Sequence, residues 1–124
     1  MATDIIAIDV HVHLSDEAAI KARGEQSQQM ARYFKQDRRE VSIDAMADQY
    51  RARKMMAVIM NTSDETVTGL KPVPNDHIAE ATRKHPDVFL GFGIVDPWQG
   101  KVALTEIRRC KELGLHGLGE FNPA

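Results

Sequence analysis

Apolar and polar positions alternate almost from the start of the chain. In IAIDVHVHL, residues 6–14, Ile6, Ile8, Val10, Val12 and Leu14 fall on one face of an extended segment. Ala7, Asp9, His11 and His13 fall on the other, because successive strand side chains point to opposite sides. Residues 15–40 are polar, with Ile20, Met30, Tyr33 and Phe34 as their only large apolar side chains. This stretch predicts one or two short helices broken near Gly24. Ile43, Met46, Ala47 and Tyr50 then recur at helical spacing behind Ser42, a capping residue, and predict a helix running to about residue 54.

The second half repeats a strand–helix rhythm. MMAVIM, residues 55–60, is a short run of buried-strand type, followed by the polar group Asn61, Thr62, Ser63, Asp64 and the rigid loop TGLKPVPND. Residues 75–85 read as a helix stopped by Pro86. VFLGFGIV, residues 88–95, is a third strand, and DPWQG turns the chain. Residues 101–113 form an amphipathic helix with Ala103, Ile107 and Cys110 on one stripe and Gly114 as its C-cap. LHGLGEF, residues 115–121, is a fourth strand. The later strands recur about 30 residues apart, the size of a βαβ unit, which predicts an α/β fold with a parallel sheet and right-handed crossovers. Small residues on the strands (Ala7; Gly91 and Gly93; Gly117 and Gly119) suit either the crowded inside of a barrel or close backbone packing in an open sheet.

Composition narrows the function. The chain has 124 residues, 43% hydrophobic and 27% charged, as in a soluble globular domain, with a net charge of −2. That charge recruits neither nucleic acid nor an anionic membrane, and Lys35, Arg38 and Arg39 read as a solvated face. No apolar run is long enough to span a bilayer, and no signal peptide is evident. The single Cys110 allows no internal disulfide, so a cytoplasmic setting is expected and the Asn61-Thr62-Ser63 sequon is read as accidental.

Chemistry concentrates at the carboxyl end of the first strand, the end where parallel α/β folds gather ligands. His11 and His13 leave one face about 6 to 7 Å apart along the strand, a gap that a metal held at roughly 2.1 Å from each nitrogen bridges. The alternative is a pair of histidines satisfied by backbone hydrogen bonds. Asp9 is placed to orient an imidazole, or else to pair with a buried base. Trp98 is placed to wall a substrate pocket or to pack under a loop; Met30, Tyr33 and Phe34 are placed to line a lid. His77 and His85 flank a surface helix and are expected to face solvent. His116 is expected at the strand end remote from the site, and Cys110 reads as a small core residue.

IDVHVHL, the helix ahead of MMAVIMNTSDE, LKPVPNDHIAEATRKHPDVFLGFGIVDPWQG and ELGLHGLGEFNPA together resemble the amidohydrolase superfamily. The closest branch is the amidohydrolase-2 group, with aminocarboxymuconate-semialdehyde decarboxylase and the resorcylate decarboxylases. The resemblance covers nearly the whole chain, least typically at residues 15–40. It implies a (β/α)8 barrel of which this chain supplies about four βα units, as a single partial domain over residues 1–124 with residues 15–41 as an insert or lid. It implies His11 and His13 as metal ligands, a divalent ion (zinc by preference), and a lyase or hydrolase acting on a small carboxylated or cyclic substrate. The family's later ligand histidines, its strand-8 aspartate and its acid/base groups have no counterparts here. The expectation is therefore an N-terminal half whose catalytic groups lie beyond residue 124, inactive by itself; the rival is a non-catalytic half-barrel that self-associates. Glu120 reads first as a polar pocket wall or a hydrogen-bond partner for substrate; beside that reading, it resembles a metal-ligating glutamate on strand 4 of the TatD-like nucleases. Strands 1 and 4 would be open edges, and Ile6, Ile8 and Val10 would lack part of their helical cover, so a homo-oligomer is expected.

Overall fold

The computed structural model describes residues 4–35, 39–63 and 65–121; Arg38, Asp64, Pro123 and Ala124 lie outside them. Four parallel strands, β1 (Ala7–Val12), β2 (Met55–Ile59), β3 (Phe89–Gly93) and β4 (Gly117–Leu118), pair in the order β1-β2-β3-β4. They form a curled sheet, half of a (β/α)8 barrel. The helices are α1 (Glu17–Tyr33), α2 (Ile43–Ala52), α3 (Glu65–Thr68), α4 (Asn75–Lys84) and α5 (Lys101–Glu112), with a 3₁₀ turn at Pro97–Gln99.

The helices begin and end where local chemistry sets them. The Ser42 hydroxyl accepts from the Ala45 N–H at 3.1 Å and starts α2. Gly24 breaks α1 with φ 61° and ψ −165°, a conformation that glycine adopts without a Cβ clash. The α3 turn, four residues long, overlaps the expected loop only at Thr68 and is too short to carry a periodicity.

The core lies between the sheet and its helices. Ala47 of α2 and Ile78 and Ala81 of α4 pack with Ala57, Ile59 and Phe89, all at 0% exposure. Gly91 and Gly93 face this helical layer. A Cβ on Gly91 would lie 2.7 Å from Thr82 Oγ1 and 2.9 Å from Ile78 Cγ2; one on Gly93 would lie 2.5 Å from Cys110 Sγ. These two glycines admit α4 and α5 to the sheet, whereas Gly117 packs against the Phe92 ring on the opposite face.

The first strand departs from simple alternation. Its pairing with β2 runs Ala7↔Met55, Ile8↔Met56 and Asp9↔Ala57, then slips by one residue to Val12↔Ile59. Before the slip Asp9 faces the helices, where Tyr50 of α2 donates to its carboxylate at 2.9 Å. After it, Val12 and Leu14 face the helices and join the core. The bulge therefore leaves Ile6, Ile8 and Val10 on the open concave face together with His11 and His13. Those aliphatics do not lack helical cover; they line what would be the barrel's lumen.

Two histidines expected in solvent are instead tied into the fold. His77 lies 2.6 Å from the Asp16 carboxylate and joins α4 to the start of α1. Arg51 bonds His85 Nδ1 at 2.8 Å, and arginine only donates. His85 therefore carries its proton on Nε2 and donates it to Asp44 at 2.6 Å. Arg51 also grips Asp87 through two nitrogens at 2.7 and 2.9 Å, clamping α2 to the turn before β3. Among the described residues, no helix is long and apolar enough to cross a membrane.

Candidate metal centre

The carboxyl ends of β1 and β4 meet across the concave face. His11 closes β1's bulged end and His13 follows just beyond, so both rings reach the lumen. Glu120 lies two residues past β4, in a backbone anchored by Gly119 N–H on Gly93 O at 3.0 Å. Curvature of the sheet carries its carboxylate back past β3 and β2 to the histidines. Glu120 Oε2 is 2.7 Å from His11 Nε2 and 3.1 Å from His13 Nε2, and the two imidazole nitrogens are 3.2 Å apart.

The Glu120 carboxylate oxygen can accept from both Nε2–H groups, so the triangle suits shared hydrogen bonds as well as a shared ion. A shared cation meets all three lone pairs at once. A tetrahedral ion held at roughly 2.1 Å separates its ligand atoms by about 3.4 Å, close to the observed spacings. Two neutral imidazoles with one carboxylate are also a donor set suited to zinc and its transition-metal neighbours more than to magnesium or calcium. Burial lowers the His13 pKa, with Arg23 adding to the effect, and so favours the neutral ring that a metal needs.

The remaining expected site residues lie elsewhere. Asp9 does not touch either ring: it accepts from Tyr50 and, at 3.3 Å, from the His11 backbone N–H, so it fixes the strand rather than an imidazole. Trp98 stands 70% exposed on the 3₁₀ turn and does not pack under a loop. Its turn is set by Asp96, which accepts from the Trp98 N–H at 3.0 Å and from the Thr66 hydroxyl. Met30, Tyr33 and Phe34 are exposed. Cys110 is buried, and burial raises its thiol pKa, as suits a packing residue. Arg23, whose charge acts on His13 and whose Nη2 donates to Leu14 O at 2.6 Å, went unnoticed in the sequence. It lies in a polar stretch with nothing to separate it from its neighbours.

No curated protein and no solved structure matches the chain. Residues 8–124 match the Amidohydrolase family Amidohydro_2, a span that includes both site histidines, Glu120 and all four strands except the first residue of β1. Amidohydrolases generally work through divalent metals, in keeping with the donor set at the mouth of this half-barrel. The chain belongs to the amidohydrolase family.

Proposed function

We propose that this chain carries the strand-1 and strand-4 part of a divalent-metal centre, zinc by preference, in a metal-dependent lyase or hydrolase acting on a small carboxylated or cyclic substrate. The observation that carries the reading is the convergence of His11 Nε2, His13 Nε2 and Glu120 Oε2 within hydrogen-bonding distance of one another. Two imidazoles and one carboxylate make three protein ligands, the number that leaves a fourth position open to substrate. A bound ion would supply Lewis acidity toward a substrate oxygen or a water molecule.

The chain's own residues set that chemistry up. Glu120 brings negative charge that partly offsets the ion's, and the bulge in β1 aims both rings into the lumen. Tyr50 and the Asp9 carboxylate brace the strand behind them. Val10 and Phe92 on the same face give the site an apolar flank suited to a compact ring or carbon skeleton. Between decarboxylation and hydrolysis, the family branch that the motifs resemble favours the first.

Calorimetric titration of the 124-residue chain with zinc tests the assignment. One equivalent should bind, the joint replacement His11→Ala/His13→Ala should abolish binding, and Glu120→Gln should weaken it at least tenfold. Far-ultraviolet circular dichroism should be unchanged in both variants, since these side chains lie outside the core. Equal zinc affinity in the parent and the double variant refutes the ligand assignment.

A further inference from the structure

The first strand changes faces at its bulge. Asp9 and His11 are two residues apart, yet Asp9 faces the helices and His11 the lumen, because Val10 and His11 together stand opposite the single residue Val58. Burial of Val12 and Leu14 accounts for the extra residue: without it they would fall on the lumen face. Burial alone leaves the conformation of Val10 and His11 open, since both are exposed and a bulge takes backbone out of the ladder.

Asp9 supplies what burial leaves open. Its Oδ1 accepts from the His11 backbone N–H at 3.3 Å, the two-residue bridge that aspartate makes to its own chain. Its Oδ2 accepts from the Tyr50 hydroxyl at 2.9 Å. Tyr50 is set in α2, which starts at the Ser42 cap and packs on the core through Ala47. One carboxylate thus joins the backbone of a site histidine to the helical layer.

We propose that Asp9 is a positioning residue: resting on the reading of His11, His13 and Glu120 as metal ligands, it fixes the β1 bulge and so holds the two imidazoles in register with each other and with Glu120. Ligand atoms need placing to about half an ångström, and the two Nε2 atoms stand 3.2 Å apart. Val12, between the two histidines, is held by its pairing with Ile59. A turn of the backbone at His11 therefore moves one ring and leaves the other behind. Asp9 touches neither ring, so it acts on them through the backbone. A role for its charge separates from this one on Asp9→Asn. The amide keeps an oxygen for the His11 N–H, and its NH2 donates to the Tyr50 hydroxyl, which accepts as well as donates.

Zinc and cobalt(II) titrations of the full chain test the proposal. Asp9→Ala should weaken zinc binding about tenfold or more, the usual effect of removing an outer partner. It should also alter the visible spectrum of bound cobalt, which reports coordination geometry. Asp9→Asn should keep the parent's affinity and its spectrum. A second arm needs no metal. In the metal-free chain the His11 amide should exchange faster in Asp9→Ala and in Tyr50→Phe than in the parent or Asp9→Asn, while the core amides of β2 keep their protection. If the parent binds no zinc, the ligand assignment falls, and this arm still decides whether Asp9 holds the bulge. If Asp9→Ala does not fold, Tyr50→Phe decides it, because the ring stays packed against the core. Asp9→Asn as weak as Asp9→Ala, Asp9→Ala binding zinc as the parent does, or His11 exchange unchanged in Asp9→Ala and Tyr50→Phe overturns the proposal.

Discussion

Asn75 opens α4, yet its side chain acts as a strand partner for the end of β3. Its amide donates to Ile94 O at 2.8 Å and to Glu106 Oε1 at 2.9 Å, and its carbonyl accepts from the Ile94 N–H at 2.9 Å. Asn75 is 5% exposed and Ile94 4%, so water does not replace these bonds when they are removed. Asn75→Ala strands a buried N–H and a buried C=O. At about 1–3 kcal/mol for each unmet group, with some relaxation, the loss should be about 2–4 kcal/mol. Asn75→Asp is nearly isosteric and keeps the acceptor for Ile94. It also turns the donor into an oxygen facing both the Ile94 carbonyl and the Glu106 carboxylate, so it should cost at least as much as alanine. Urea unfolding followed by circular dichroism, at one fixed protein concentration, measures both variants through their midpoints at constant m. An aspartate variant within about 0.5 kcal/mol of the parent, the ordinary scatter for surface changes, refutes the reasoning: packing volume, and not hydrogen bonding, would then be what Asn75 provides.

Gly93→Ala should destabilise by about 1–3 kcal/mol, the usual cost of overpacking, since its Cβ would sit 2.5 Å from Cys110 Sγ. Adding Cys110→Ala should recover part of that loss, and purely additive effects in the double-variant cycle would contradict the contact. Burial and the bond to Asp9 push the Tyr50 pKa up to about 12. A raised pKa adds stability that is fully present below the ordinary value of about 10 and is lost as pH climbs from there through about 12. Alkaline unfolding curves should therefore steepen across that window, and Tyr50→Phe should remove that component; an unchanged alkaline profile in the variant counts against it.

The sequence made the strands and long helices legible because their periodicities are strong, as in Ile43, Met46, Ala47 and Tyr50 behind the Ser42 cap. It made His11 and His13 legible because a spacing of two on a strand keeps them on one face whatever precedes them. The β1 bulge left no mark, since Asp9-Val10-His11 continues the alternation without a break; only the pairing with β2 reveals the slip. Glu120 stood out by resemblance alone, and its approach to His11 comes from sheet curvature, which acts across 109 positions. The same holds for His77 and His85, whose carboxylate partners lie 61 and 41 positions away. Gly91 and Gly93 suited a crowded barrel interior or close packing in an open sheet, and the structure sets them against α4 and α5 instead of the lumen.

The central claim is that His11, His13 and Glu120 form one metal-binding locus. The most direct measurement is an anomalous-scattering map from crystals of the chain grown with zinc. A peak is expected at bonding distance, roughly 2.0–2.2 Å, from both Nε2 atoms and from a Glu120 carboxylate oxygen. Zinc bound only elsewhere on the chain, or this locus left without a peak in zinc-saturated crystals, contradicts it.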